Sequence, residues 1–138
     1  MRLLTSLQHP IVKHLVKLRG DGSYRCEHQA VLIEGVKPVQ EIHLGIKKIL
    51  YTPAYASFVE NLPGEKWETS DAVINKVSGM SSPEGVVAEV TMPSFISLKD
   101  QKRVLVLDGI NDPGNMGTLL RTALAFGWDA VYFLPGCC

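Results

Sequence analysis

Residues 103–134, RVLVLDGINDPGNMGTLLRTALAFGWDAVYFL, carry the pattern that decides the fold. Residues 103–107 are a continuous apolar run, as in a strand buried on both faces. Residues 108–115 are crowded with turn formers. Over 116–126, Met116, Leu119, Leu120, Ala123 and Leu124 recur at helical spacing, and Gly127 closes the helix. Residues 130–134 read as a second buried strand. Strand, loop, helix and strand in that order predict a βαβ unit with parallel strands. Its loop lies at the carboxyl end of a buried strand and just before a helix N-terminus, where open α/β sheets bind ligands.

Within that stretch two polar residues stand out. Asn115 is a good N-cap, and the free N–H groups after it could hold an anion. Arg121 falls off the apolar stripe, near Thr118 and Ala125, and so faces outward. Glycines 109, 114 and 117 do not have the GxGxxG spacing of dinucleotide folds, and no Lys stands where a Walker loop needs one. On the residues alone two readings stay open. Either this is a binding site, or Asn115 is only a cap, Arg121 a solvated side chain and the glycines plain turn formers.

Working back toward the N-terminus, residues 10–19 have helical periodicity, with Pro10 in the first turn and Asp21-Gly22-Ser23 ending the helix. Strands are expected at 30–34, 47–51, 66–68 and 85–92. Helices are expected at 36–44, from Pro53 through Val59, and at 71–77 behind Ser70. Alternating β and α elements predict a small three-layer α/β domain over 1–92. A linker follows at 93–102, and the βαβ unit occupies 103–138. Two strands and one helix cannot cover both faces of a sheet, so 103–138 is expected to be the first part of a larger domain.

Composition narrows the function classes. Of 138 residues, 46% are apolar and 20% charged, which excludes disorder and coiled coil. No apolar run is long enough to span a membrane. Lys plus Arg and Asp plus Glu each total 14, so net charge does not argue for nucleic acid. Residues 1–20, however, hold Arg2, Lys13, Lys17 and Arg19 and no acid. With Arg25 these could grip RNA phosphates, or they could be one solvated helix face. The patch has no interleaved aromatic residue, so base stacking is not expected there.

Cys26, Cys137 and Cys138 have no metal-ligand spacing, and His9, His14, His28 and His43 form no metal or triad pattern; solvated or capping roles are expected for them. An intracellular, reducing compartment follows from the cysteine usage. The basic opening resembles an organellar presequence in charge but holds a single serine, Ser6, so cytoplasm and organelle both stay open.

Residues 108–127 resemble the first conserved motif of the SpoU/TrmH family of RNA ribose 2′-O-methyltransferases, of the knotted SPOUT superfamily. Asn115, Gly117, Arg121, Thr122 and Gly127 fall where that pattern has them. Thr5-Ser6, His9-Pro10, the basic helix to Leu18-Arg19 and Tyr24-Arg25 resemble the family's opening. Leu32-Ile33-Glu34-Gly35-Val36 and Ser81-Ser82-Pro83-Glu84-Gly85-Val86 resemble two further signatures. The resemblance implies an L30e-like α/β/α domain that engages RNA over 1–92, followed by the first βαβ of a trefoil-knot methyltransferase domain.

It also implies S-adenosylmethionine as cofactor, RNA (rRNA or tRNA) as partner, and a homodimer through the complete catalytic domain. Asn115 and Arg121 are implied as catalytic, and Lys13, Lys17, Arg19 and Arg25 are the candidate RNA-binding residues. The family's cofactor-binding motifs have no match up to Cys138, so this chain is expected to lack the knot and a complete cofactor site and to be inactive alone. A non-catalytic RNA-binding module is the alternative.

Overall fold

Five short strands, three of them rich in aliphatic and β-branched residues, pair into one mixed sheet in a computed structural model of the chain, which describes residues 2–42 and 45–138. In chain order these residues build β1 (Arg2–Leu4), α1 (Pro10–Gly20), α2 (Gly22–His28), β2 (Ala30–Glu34) and α3 (Val36–Glu41). There follow β3 (Ile46–Tyr51), a 3₁₀ turn at Pro53–Tyr55, α4 (Ala56–Val59), β4 (Glu65–Thr69), α5 (Asp71–Val77) and β5 (Val86–Thr91). All of these belong to one compact unit, Met1–Pro93.

The strand order is β1-β4-β3-β5-β2. β1, β4 and β3 run parallel, whereas β5 is antiparallel to both β3 and β2. Because side chains alternate across a strand, the sheet has two apolar faces. On one, Leu50 and Val87 meet Val12, Leu15 and Leu18 of α1 and Val73, Ile74 and Val77 of α5. On the other, Ile49, Tyr51, Ala88 and Val90 meet Val39 of α3 and Val59 of α4. The three-layer α/β expectation holds.

Several local expectations do not. The first helix does end at Gly20 with Asp21 as its C-cap, but residues 22–23 open a second helix where a turn is expected. The Asp21 carboxylate accepts from the Tyr24 N–H at 3.1 Å and starts α2 at once. The short edge strand β1 carries too few apolar residues to be visible as a pattern. The helix expected over 36–44 ends at Glu41; His43 and Leu44 lie outside the described residues. Ser70 sits at the N-cap of α5 without making a side-chain capping bond.

The second unit, Ser94–Cys138, contains β6 (Val104–Leu107), α6 (Pro113–Ala125) and β7 (Ala130–Phe133), with β6 and β7 parallel in register Val104 opposite Ala130. The βαβ expectation holds, but the strands are not buried on both faces. Val106, Tyr132 and Phe133 remain 55%, 49% and 43% exposed, because one helix covers one face of a strand pair. Among the described residues no helix is long and apolar enough to cross a membrane.

Candidate functional site

The start of α6 is set by Asp112 and Pro113. Proline at the first helical position has its φ preset, and the Asp112 carboxylate accepts from the Asn115 N–H at 2.6 Å. Asn115 is therefore in the first turn and is not the N-cap expected from the sequence. The helix begins three residues earlier, and the next N–H, that of Met116, already donates to the Asp112 carbonyl at 2.9 Å.

Arg121 is exposed, as its off-stripe position predicts, and its guanidinium lies back along the helix toward the N-terminal end. Its Nη2 donates to Thr118 Oγ1 at 3.3 Å, and Thr118 Oγ1 donates to the Gly114 carbonyl at 2.9 Å. A Cβ at Gly117 would stand 3.1 Å from Arg121 Nη1, tighter than ordinary contact. Glycine at that position lets the guanidinium lie on the helix surface, one turn closer to Asn115. Helical side chains lean toward the N-terminus, and this one is held there.

The loops at the carboxyl ends of the two strands meet beside that helix end. The Cys138 N–H donates to the Ile110 carbonyl at 2.9 Å, and the Leu134 N–H to the Leu107 carbonyl at 2.9 Å. At Gly109 and Gly136 no atom lies within 4 Å of where a side chain would begin, so backbone is open to a close-lying ligand on both loops. A permanently charged donor and an exposed amide thus lie on the helix that follows the open backbone of the first of these loops.

The basic residues of the first unit divide into two roles. Arg19 Nη1 donates to the Lys76 and Val77 carbonyls at 3.2 and 3.0 Å and to the Ser78 carbonyl, closing the C-terminal end of α5. Arg25 Nη1 donates to the Leu18 and Arg19 carbonyls, both at 3.0 Å, and closes α1. Lys13 and Lys17 point outward and, among the described residues, pair with no carboxylate. The Lys17 ammonium lies 5.2 Å from the Tyr24 ring centroid.

The two signatures at 32–36 and 81–86 come together. Glu34 accepts from Ser78 Oγ and, at 3.0 Å, from the Gly79 N–H. Glu84 accepts from the Val36 N–H at 2.8 Å, and the Gly35 N–H donates to the Val86 carbonyl at 3.0 Å. Both carboxylates fix loops at one edge of the sheet.

One polar network was not foreseen. Glu89, in an interior strand and only 3% exposed, accepts from Lys48 Nζ at 2.8 Å, and His14 Nε2 lies 3.3 Å from its other oxygen. Burial alone would raise its pKa, but the hydrogen bonds and charges of Lys48 and His14 outweigh that and hold it below the ordinary value. His14 Nδ1 is 3.0 Å from the Tyr24 hydroxyl, and the Tyr24 and His28 rings are 4.0 Å apart. The available signal was one acid among valines at the parity of Val87. His9, by contrast, caps α1 by accepting from the Ile11 N–H at 3.2 Å. Among the described residues no group of His, Cys, Asp and Glu is arranged to hold a metal ion.

Comparison with known proteins gives the family. The family model of the MRM3-like substrate binding domain matches residues 9–88, more than half of the chain. A protein of the TrmH family from Porphyromonas gingivalis superposes with a TM-score of 0.80 at 29% identity, over 96% of this chain and 55% of its own. This chain belongs to the SpoU/TrmH family. It is 30% identical to the 23S rRNA (guanosine(2553)-2'-O)-methyltransferase RlmP of Bacillus subtilis over 99% of its length and 56% of that protein's. An AdoMet-bound rRNA methyltransferase from Sinorhizobium meliloti superposes at 27% identity with a TM-score of 0.76, over 99% of this chain and 56% of that one. The SpoU/TrmH chain described here thus spans about half the length of the relatives it matches.

Proposed function

We propose that this chain is part of an RNA 2′-O-ribose methyltransferase, in which residues 1–92 engage RNA, 93–102 link, and 103–138 begin the catalytic domain. The observation that carries the reading is the guanidinium of Arg121, hydrogen-bonded to Thr118 and laid over Gly117 on the exposed surface of α6. S-adenosylmethionine, which the Sinorhizobium relative holds, would supply an electrophilic sulfonium methyl. The open backbone at Gly109 and Gly136 fits one wall of a site for it.

The work left to these residues is positioning and charge. A ribose 2′-oxygen must align with the methyl group and give up its proton to solvent or a base as it attacks. The negative charge develops on the oxygen through that proton loss and is taken up by the new C–O bond as the methyl–sulfur bond breaks. Arg121, always protonated, is a poor base and a good donor. It grips the phosphate beside the target ribose and stabilises the developing oxyanion. Asn115 orients the same end of the helix. The relationship to RlmP supports transfer to a ribose oxygen of RNA, and the family resemblance extends the reading to a homodimer through the complete catalytic domain.

Arg121→Ala, made in a protein that carries this chain with a complete catalytic domain, should lower methyl transfer by roughly 10²–10³-fold, the loss expected for one preorganised donor. Cofactor affinity should hold. Near-full turnover would mean that Arg121 is structural and the site misassigned.

A further inference from the structure

We infer that the corner formed by α1 and α2 is a platform for one unstacked RNA nucleotide, with the exposed His28 ring, backed by Tyr24, taking the base and Lys13 and Lys17 the flanking phosphates. This rests on the reading that the first unit engages RNA, and it assigns the contact to residues that sequence alone did not join.

The helix α2 is seven residues long and buries none of them fully; Tyr24 packs partly buried against the core, and polar tethers hold the rest. Asp21 caps its start, Arg25 ties it to the end of α1, and Lys47 Nζ lies 3.3 Å from the His28 and Gln29 carbonyls at its end. His14 fixes the Tyr24 hydroxyl. Since the Glu89 carboxylate can only accept, His14 Nε2 carries the hydrogen that faces it, and Nδ1 lies 3.0 Å from the Tyr24 hydroxyl. The chain from buried carboxylate to surface phenol leaves the Tyr24 ring in one orientation.

These tethers preorganise two rings spaced i, i+4 on one face of α2, with His28 exposed to solvent. Lys17 lies over Tyr24, and Lys13 is one turn before Lys17 on the same face of α1. Rings beside unpaired cations are what single-stranded RNA requires: a base has a π-face to stack, and its phosphates need counter-charge. Arg19 and Arg25 are spent on helix ends and belong to the scaffold.

The test uses the 138-residue chain and two RNAs, a stem-loop with 2-aminopurine in its unpaired loop and the same stem as a blunt duplex, with anisotropy read across a salt series. The chain should prefer the stem-loop and quench the 2-aminopurine. His28→Ala should weaken stem-loop binding by about 5- to 100-fold, the range for losing one stacked base, and His28→Phe should restore it. Lys13→Ala with Lys17→Ala should shrink the log–log salt slope by roughly 1.5 units. Thermal melting should be near wild type for all three. If the chain binds RNA but His28→Ala is silent, or stem-loop and duplex bind equally, the platform is wrong while the RNA-engaging reading stands. If the chain binds neither RNA, both fall.

Discussion

At Glu89 a single acid sits among valines in the middle of a sheet, and its contacts decide what it costs. Its pKa is lowered, so the stability it contributes is present above the ordinary glutamate value of 4.5 and is lost as pH falls through the lower folded value. Glu89→Gln keeps the shape and removes the charge from Lys48 and His14. It should cost about 1–3 kcal/mol at pH 7, since hydrogen bonds to charged groups are the stronger class. Melting curves for both proteins should converge as pH falls through the lowered folded value, where the wild-type carboxylate protonates. A gap unchanged between pH 7 and pH 3 would mean that the charge contributes nothing.

Gly85 makes a second case at the same scale. Its φ is +78°, and a Cβ there would stand 2.7 Å from Thr52 Oγ1 and 2.9 Å from the Tyr55 ring. Gly85→Ala combines backbone strain with overpacking and should destabilise by about 2–4 kcal/mol, read as a lower denaturant midpoint. A midpoint within experimental scatter of wild type would show that the loop relaxes freely.

Helices are where sequence and structure part company most. The helix at 71–77 and the strand at 30–34 are legible because their apolar periods are unbroken. The boundary at 20–22 is not, because Asp21 both follows one helix and caps the next, and a turn tripeptide looks the same either way. Arg19 and Arg25 read as members of a basic face because their acceptors are backbone carbonyls, which no side-chain pattern reveals; those of Arg19 lie 57 to 59 residues away. Arg19→Ala should therefore lower stability by roughly 1–2 kcal/mol, through lost charge-assisted bonds to a helix C-terminus, and leave the salt slope of RNA binding unchanged. A changed slope at unchanged stability would return Arg19 to the RNA surface. Tyr24 and His28 are visible in the sequence but not joined there for a related reason: the helix that presents them is not expected.

Across the whole molecule, the family motif at 108–127 was legible because its polar residues keep fixed spacing on a helix, but their geometry was only half legible. Arg121 faces outward as its off-stripe position requires. Asn115 does not cap, because Asp112-Pro113 forms a stronger start three residues earlier. The exposed Val106, Tyr132 and Phe133 show that apolar strand residues do not by themselves report which faces are covered. The claim that joins both units is methylation of a ribose oxygen in RNA. Its most direct test is nucleoside mass spectrometry of RNA incubated with S-adenosylmethionine and a protein carrying this chain with a complete catalytic domain. A 2′-O-methylated nucleoside, absent with the Arg121→Ala variant, is the predicted result; a methyl group on a base, or none at all, would contradict the account.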